Sequence, residues 1–396
     1  MSKFKRITAI ALIFAVVLSF SACRTKDESA LVFGDLNASQ GDDSRVDIRS
    51  AIYILYTMDA DREFKTAVQD KIEQASTTSS KEIDVEKEKL DDKDYKTWVK
   101  DKAVEYCSEY AYVELEFKKL KLSLTEDEKN ECDYYVNMYW DGYGYGPIYE
   151  ANGVSKTSFA MYWENSFKRE ALFNYYYGEK GKNSVAAADV KAAIDANYVL
   201  ANSLSVSFTG SDNKALTDKE KAEAKKKLEA YADRIKKGEK FADLKAEYEA
   251  AQKEQQNTTG TGTTAATTTV ATTTAGTTAT TTTAAPGSAP LDATASIFGG
   301  EKTASPSGYF TDIKKLKTGD VKVLEFTDCY MLVVRQDVLK DPYYVKNYDS
   351  SARHILKDAE FDKKVSNGAK ELDIERNNGA VNFYSPDKLV YTTKAQ

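Results

Sequence analysis

Four cysteines and one histidine are the residues whose types could hold a metal or form an activated nucleophile, and their spacing supports neither. Cys23, Cys107, Cys132 and Cys329 make no CxxC pair and His354 stands alone, so a tetrahedral zinc site lacks its ligands. Cys107 and Cys132 leave two readings open, a bridge between neighbouring helices in an oxidising compartment or a pair of buried free thiols. No nucleophile–base pair, Gly-rich phosphate loop or paired-carboxylate signature occurs, so no cofactor and no metal is expected. His354 ends an apolar helical stripe of Tyr344, Tyr348, Ala352 and Ile355, which reads as an exposed helix position rather than a catalytic one. What remains is adhesive chemistry. Tyr134, Tyr135, Tyr139, Trp140, Tyr143, Tyr145 and Tyr149 crowd one short stretch. Helical spacing assigns Tyr135, Tyr139 and Trp140 to a packed stripe. Tyr143 and Tyr145, interleaved with Gly142, Gly144 and Gly146, are the candidates for peptide contact, because rings with one polar edge suit sequence-tolerant binding of unfolded polypeptide.

The elements that must position these tyrosines are helices. Apolar residues recur at helical spacing from Val46 to Ile72. The strongest periodicity runs from Asp94 to Leu120, where Val99, Ala103, Tyr106, Tyr110, Val113, Phe117 and Leu120 form one stripe that must be buried. Thr125 and Glu128 form a capping box for a helix through Cys132, Val136, Tyr139 and Trp140, and the repeated Gly with Pro147 ends it. After Asn152-Gly153, a further helix carries Phe159, Trp163, Phe167 and Ala171 on one side. Residues 46–184 thus read as an all-helical module of about five helices.

Downstream the periodicity changes. In Tyr198–Phe208, Leu204, Val206 and Phe208 alternate with Ser203, Ser205 and Ser207, the pattern of a half-buried strand. Thr217 and Glu220 form a second capping box, Ala224, Leu228, Ala232 and Ile235 share a helix face, and Gly238 ends that helix. Phe241, Leu244 and Tyr248 supply the next one. Residues 254–291 collapse to Thr, Ala and Gly and cannot bury enough apolar surface to order, so a disordered insert is expected, either a plain spacer or an O-glycosylated one. Cys329–Arg335 reads as a closing strand. Residues 341–396 turn helical again, with Phe361, Val365 and Leu372 on one stripe.

The N-terminus sets the expected compartment. Lys3, Lys5 and Arg6 precede an apolar run from Ile7 to Phe20 and then Ser21-Ala22-Cys23, so 1–22 reads as a signal peptide. The last three resemble a bacterial lipobox, which implies lipid attachment at Cys23, with 23–45 as a flexible tether; the rival reading is an ordinary secretory signal in which Cys23 is incidental. The expected location is the outer face of the bacterial cytoplasmic membrane. A net charge of −7 over 396 residues gives no clustered basic face for nucleic acid, and Lys225, Lys226 and Lys227 read as a solvated helix face.

The strand, the two helices after it, Ser307-Gly308-Tyr309-Phe310, Lys317-Thr318-Gly319-Asp320-Val321 and the closing strand together resemble a parvulin-type peptidyl-prolyl isomerase domain over residues 185–340. Asn152-Gly153-Val154-Ser155, Tyr175-Tyr176-Tyr177-Gly178 and Val185–Tyr198 resemble the N-terminal region of SurA- and PrsA-like foldases. The resemblance implies an α+β chain: a helical chaperone-like module, a small α/β domain, and C-terminal helices that return to the module. It also implies two catalytic histidines on adjacent strands, but alignment places Leu204 and Met331 there, so the domain is expected to be catalytically degenerate. Asp292 or Ser296 falls near the family's Cys/Asp position, and Ala352-Arg353-His354-Ile355-Leu356 imitates its His-bearing strand from the wrong place in the chain. The function expected is a membrane-anchored, extracytoplasmic foldase-like lipoprotein whose partners are unfolded or newly secreted polypeptides and the lipid bilayer. Its rivals are an active isomerase working without the histidines and a surface adhesin or envelope-assembly protein using the Thr-rich insert.

Overall fold

The computed structural model describes residues 28–34, 44–75, 87–210, 213–258 and 289–392. The signal segment 1–22, Cys23 and most of the Thr-rich insert lie outside the described residues. The chain is α+β and divides into two compact units. One comprises the residues before Tyr177 together with those from Ala359 onward; the other is Tyr177–Asp358.

In the first unit five α-helices precede the boundary among the described residues: Ser50–Ala75, Tyr95–Lys119, Glu126–Asn137, Gly146–Ala151 and Lys156–Tyr177. Their starts are written locally. Asp94 caps the second, its carboxylate accepting the Thr97 amide at 3.0 Å. Thr125 and Glu128 close the expected capping box on the third, which satisfies amides that have no partner within the helix. Phe64, Val99, Ala103 and Cys107 are wholly buried in the core between the first two helices. Cys107 and Cys132 are both buried and unbridged.

The unit is not all-helical, as 46–184 was expected to be. Ser29–Gly34 is the central strand of a three-stranded antiparallel sheet, flanked by Arg45–Arg49 and Asp373–Arg376. The tether expected over 23–45 is therefore interrupted: Ala30, Leu31 and Phe33 are inaccessible to solvent, and a buried backbone at that depth must pair its amides and carbonyls. Val46 and Ile48, whose spacing mimics a helix, belong to the second strand, and the helix begins at Ser50. The expected C-terminal return is present: Asp349–Lys370 is one long helix, and Asp373–Arg376 follows it into this sheet. The stripe read continuously from Tyr344 to Ile355 is broken at Tyr348, between that helix and Pro342–Asn347.

The second unit is a four-stranded antiparallel sheet in the order Ala295–Gly299, Tyr198–Ser207, Cys329–Gln336, Val321–Glu325. The helices Asp218–Lys236 and Phe241–Thr258 cover one face, burying Leu228 and Leu244 against Leu204 and Leu332. The Thr217–Glu220 capping box starts the first helix, and Gly238, at φ +98°, ends it with the left-handed residue that favours glycine. The opposite face carries Val199, Ala201, Phe298, Met331 and Val333, covered by Ile313 of the short helix Phe310–Lys314 and by Leu316.

Candidate functional site

Leu204 and Met331 do lie on paired strands, but they face opposite ways. Leu204 stands across from Leu332 and packs under the two helices, whereas Met331 stands across from Ser205 on the other face. Leu204 and Met331 therefore do not form a pair in space; the strand residue on Met331's face at that level is Ser205, with Ser203 one step along, across from Val333. The reason is physical. Val199, Leu200 and Ala201 are all buried, so this strand is covered on both sides and its Leu/Ser alternation does not mark which side holds a site. His354 is elsewhere, on the Asp349–Lys370 helix with Nδ1 2.6 Å from the Asp358 carboxylate. Asp292 is held by the Asn202 amide at 2.9 Å, and Ser296 stands across from Ala201. Cys329 donates to the Tyr309 hydroxyl at 3.9 Å, and burial pushes its thiol up to about 11, which keeps it protonated and unreactive at neutral pH.

The first unit holds the more developed site. The helix expected to run through Trp140 changes form at Met138–Gly142, a single π-helical turn in which the Tyr143 amide donates to the Met138 carbonyl at 2.8 Å. Such insertions displace side chains from the regular face and recur at functional sites. Gly144, at φ +69°, then turns the chain, and Gly146 lies so close to the Trp140 indole that a Cβ there would approach Nε1 to 2.6 Å. The result presents Tyr143 and Tyr145, 59% and 42% exposed. Their ring centroids are 6.0 Å apart, and Tyr143 packs edge-on against Tyr139 at 5.4 Å.

Below them opens a cleft of about 490 Å³, lined by Leu55, Met58, Asp59 and Arg62 of the Ser50–Ala75 helix, by Tyr139, Tyr145, Ile148 and Tyr149, by Phe159, Tyr162 and Trp163, and by Tyr391. A second hollow of about 590 Å³ shares Asp59, Arg62 and Tyr162 and adds Tyr56, Glu63, Asp70 and Tyr106. The walls are packed aromatic rings: Tyr139 stacks on Trp163 at 5.2 Å and Trp163 on Tyr135 at 5.4 Å, and Tyr149 packs tilted against Phe159 at 4.6 Å. Mostly apolar walls with a few convergent polar groups are the usual make-up of a binding cleft. One of those groups is Asp59, which accepts from the Tyr162 hydroxyl at 2.7 Å and lies 3.5 Å from Arg62. Trp163 also lines the cleft, but its indole N–H is a donor buried away from solvent, with no acceptor among the described residues. The cleft can stack rings or prolines and donate to a carbonyl. It holds no activated nucleophile.

Burial raises the Asp59 pKa, opposed by the Tyr162 hydrogen bond and the Arg62 charge. A raised folded-state value means the folded chain holds the proton more tightly, so this group adds stability as pH falls through that value and withdraws it as pH rises. Asp59→Asn keeps an acceptor for Tyr162 and removes the buried charge. It should melt a few degrees above wild type at pH 7, the gain shrinking as the pH is lowered into the carboxylate range. Thermal melts between pH 4 and 8 check this; a lower melting temperature at pH 7 would mean that Arg62 outweighs the burial.

Tyr145 is thus brought to the cleft wall and Tyr143 to its rim, as candidates for peptide contact. Asp59, Arg62, Phe159, Tyr162 and Trp163 carried no signal of their own beyond helical spacing. Cys23 lies outside the described residues. No family model matches this chain, and no curated protein does either. Among solved structures it is similar to the crystal structure of a foldase protein (PrsA) from Lactococcus lactis, at 15% identity, covering 74% of this chain and 88% of that one with a TM-score of 0.32.

Proposed function

We propose that this protein is an extracytoplasmic foldase-like chaperone, anchored to the outer face of the bacterial cytoplasmic membrane by lipid on Cys23, that holds unfolded secreted polypeptides in the aromatic cleft of its helical unit. The observation that carries the reading is the cleft itself. A continuous wall of tyrosine, tryptophan and phenylalanine, with Tyr143 and Tyr145 standing proud of it, gives large contact area at low conformational cost and little demand on sequence. In this reading the α/β unit is a scaffold or weak peptide surface. The side chains nearest the centre of its sheet are Ser203, Ser205 and Met331, none of which can shuttle a proton or stabilise charge as an imidazole does.

The test is suppression of aggregation of a denatured client by the full chain. Tyr143→Ser with Tyr145→Ser removes two exposed rings at small cost to folding and should weaken suppression by about tenfold, in line with the loss of two aromatic anchors at about 0.5–1.5 kcal/mol each. Unchanged suppression would remove the cleft from the proposal. In a proline-limited refolding assay the chain should leave the slow phase unaccelerated, because crossing a barrier of about 20 kcal/mol needs groups that favour the twisted amide. Acceleration abolished by substitutions at Ser203 and Met331 would instead establish an isomerase.

A further inference from the structure

The segment Leu389–Thr392 approaches the cleft as an extended strap, and the way it is held is informative. The Asn152 side-chain amide donates from Nδ2 to the Val390 carbonyl at 2.7 Å and accepts the Val390 amide on Oδ1 at 2.8 Å. One side chain thus satisfies both backbone groups of one residue, and nothing in that pair of bonds depends on the valine side chain. Asn152 is itself fixed, since Nδ2 also donates to the Ile148 carbonyl at 2.8 Å. The next residue, Tyr391, forms part of the cleft wall. Its ring lies under Lys65, Nζ to centroid 4.6 Å, and its hydroxyl donates to Asp61. Asp61 is buried, yet it also accepts from Tyr95 at 2.5 Å and pairs with Lys65 at 2.7 Å, so it keeps two partners when Tyr391 leaves. Tyr391 is 40% exposed. Leu389 packs partly buried against the core and anchors the start of the strap. Beyond it, the strap is held by sequence-tolerant main-chain bonds and one half-exposed ring, over a site that stays satisfied without them, and that part is built to be exchanged.

We infer that Asn152 is a main-chain reading subsite for an extended peptide, and that Leu389–Thr392 occupies this subsite as an intramolecular stand-in until a peptide displaces it. The inference rests on the reading of the cleft as a polypeptide site and adds a second element, competition within the chain. It also restricts the ligand: the residue read by Asn152 must have an amide N–H, so it is not proline.

The test uses the full chain and a fluorescein-labelled peptide with the sequence of residues 385–396, followed by anisotropy. Val390→Pro with Tyr391→Ser releases the strap, and Tyr391→Ser alone is a milder second variant. Both should bind the peptide at least about tenfold tighter than wild type, because a site closed about nine-tenths of the time shows about one-tenth of its affinity. A peptide carrying the same Pro and Ser changes should not bind. Adding Asn152→Ala to the released chain should return affinity to the weak level. Equal binding by wild type and released chains, or no loss on adding Asn152→Ala, overturns the inference. The two readings fail separately. If the labelled peptide behaves as stated but a denatured client does not compete for it, the subsite stands and the client-holding function falls. If the client binds wild type and released chains alike while neither takes the peptide, the strap falls and the function stands.

Discussion

Leu204→His should cost the α/β unit about 3–5 kcal/mol, while Ser203→His, one residue earlier, should cost less than about 1.5 kcal/mol. Leu204 is 5% exposed and touches Leu228, Leu244 and Leu332, all inaccessible to solvent. An imidazole there loses the leucine's packing and places two polar nitrogens among aliphatic groups that can satisfy neither. Ser203 is half-buried on the opposite face, across from Val333, where a ring can reach water. Urea midpoints at constant m-value measure both. A larger cost at Ser203 than at Leu204 would show that the faces are reversed. The difference also decides which positions could place two side chains next to each other: Ser205 and Met331 share a face, whereas Leu204 and Met331 do not.

The second large effect is expected in the helical unit. Phe64→Ala should destabilise it by about 3–5 kcal/mol, and Phe64→Leu by about 1 kcal/mol. Phe64 is wholly buried, with ring centroids 5.2 Å from Tyr95 and 5.5 Å from Trp98, both edge-on. It wedges the Ser50–Ala75 helix against the start of Tyr95–Lys119, beside the buried Tyr95–Asp61 hydrogen bond. Emptying that volume removes the ring contacts and leaves a cavity that two long helices cannot fully close around. A loss under about 1 kcal/mol in denaturant melts would place the wedge elsewhere.

Local chemistry was legible in the sequence and distant pairing was not. Asp94, the Thr125–Glu128 and Thr217–Glu220 boxes and Gly238 act within three or four residues of themselves, so each could be read where it stands. Asp373–Arg376 reads as nothing in particular because all four side chains are exposed, and the strand exists only through its partner Ser29–Gly34. The same limit applies to the site. Tyr143 and Tyr145 stood out by crowding and interleaved glycines. Asp59, Arg62 and Trp163 meet them only once three separate helices have packed. Asn152 looked like an ordinary turn residue, since what it binds lies at Val390. That Leu204 and Met331 face opposite ways was not legible, because the strand is buried on both sides and its polarity alternates without reporting direction.

The sheet that joins Ser29–Gly34 to Asp373–Arg376 also orders events in time. A chain made or threaded from its N-terminus presents its first strand long before the third exists, and the whole Tyr177–Asp358 unit is delivered in between. The inner strand, with Leu31 and Phe33, must wait with one edge bare, while the inserted unit already has every residue it needs to close. The sheet of the module bearing the aromatic walls is thus complete only once its own final strand, Asp373–Arg376, has arrived.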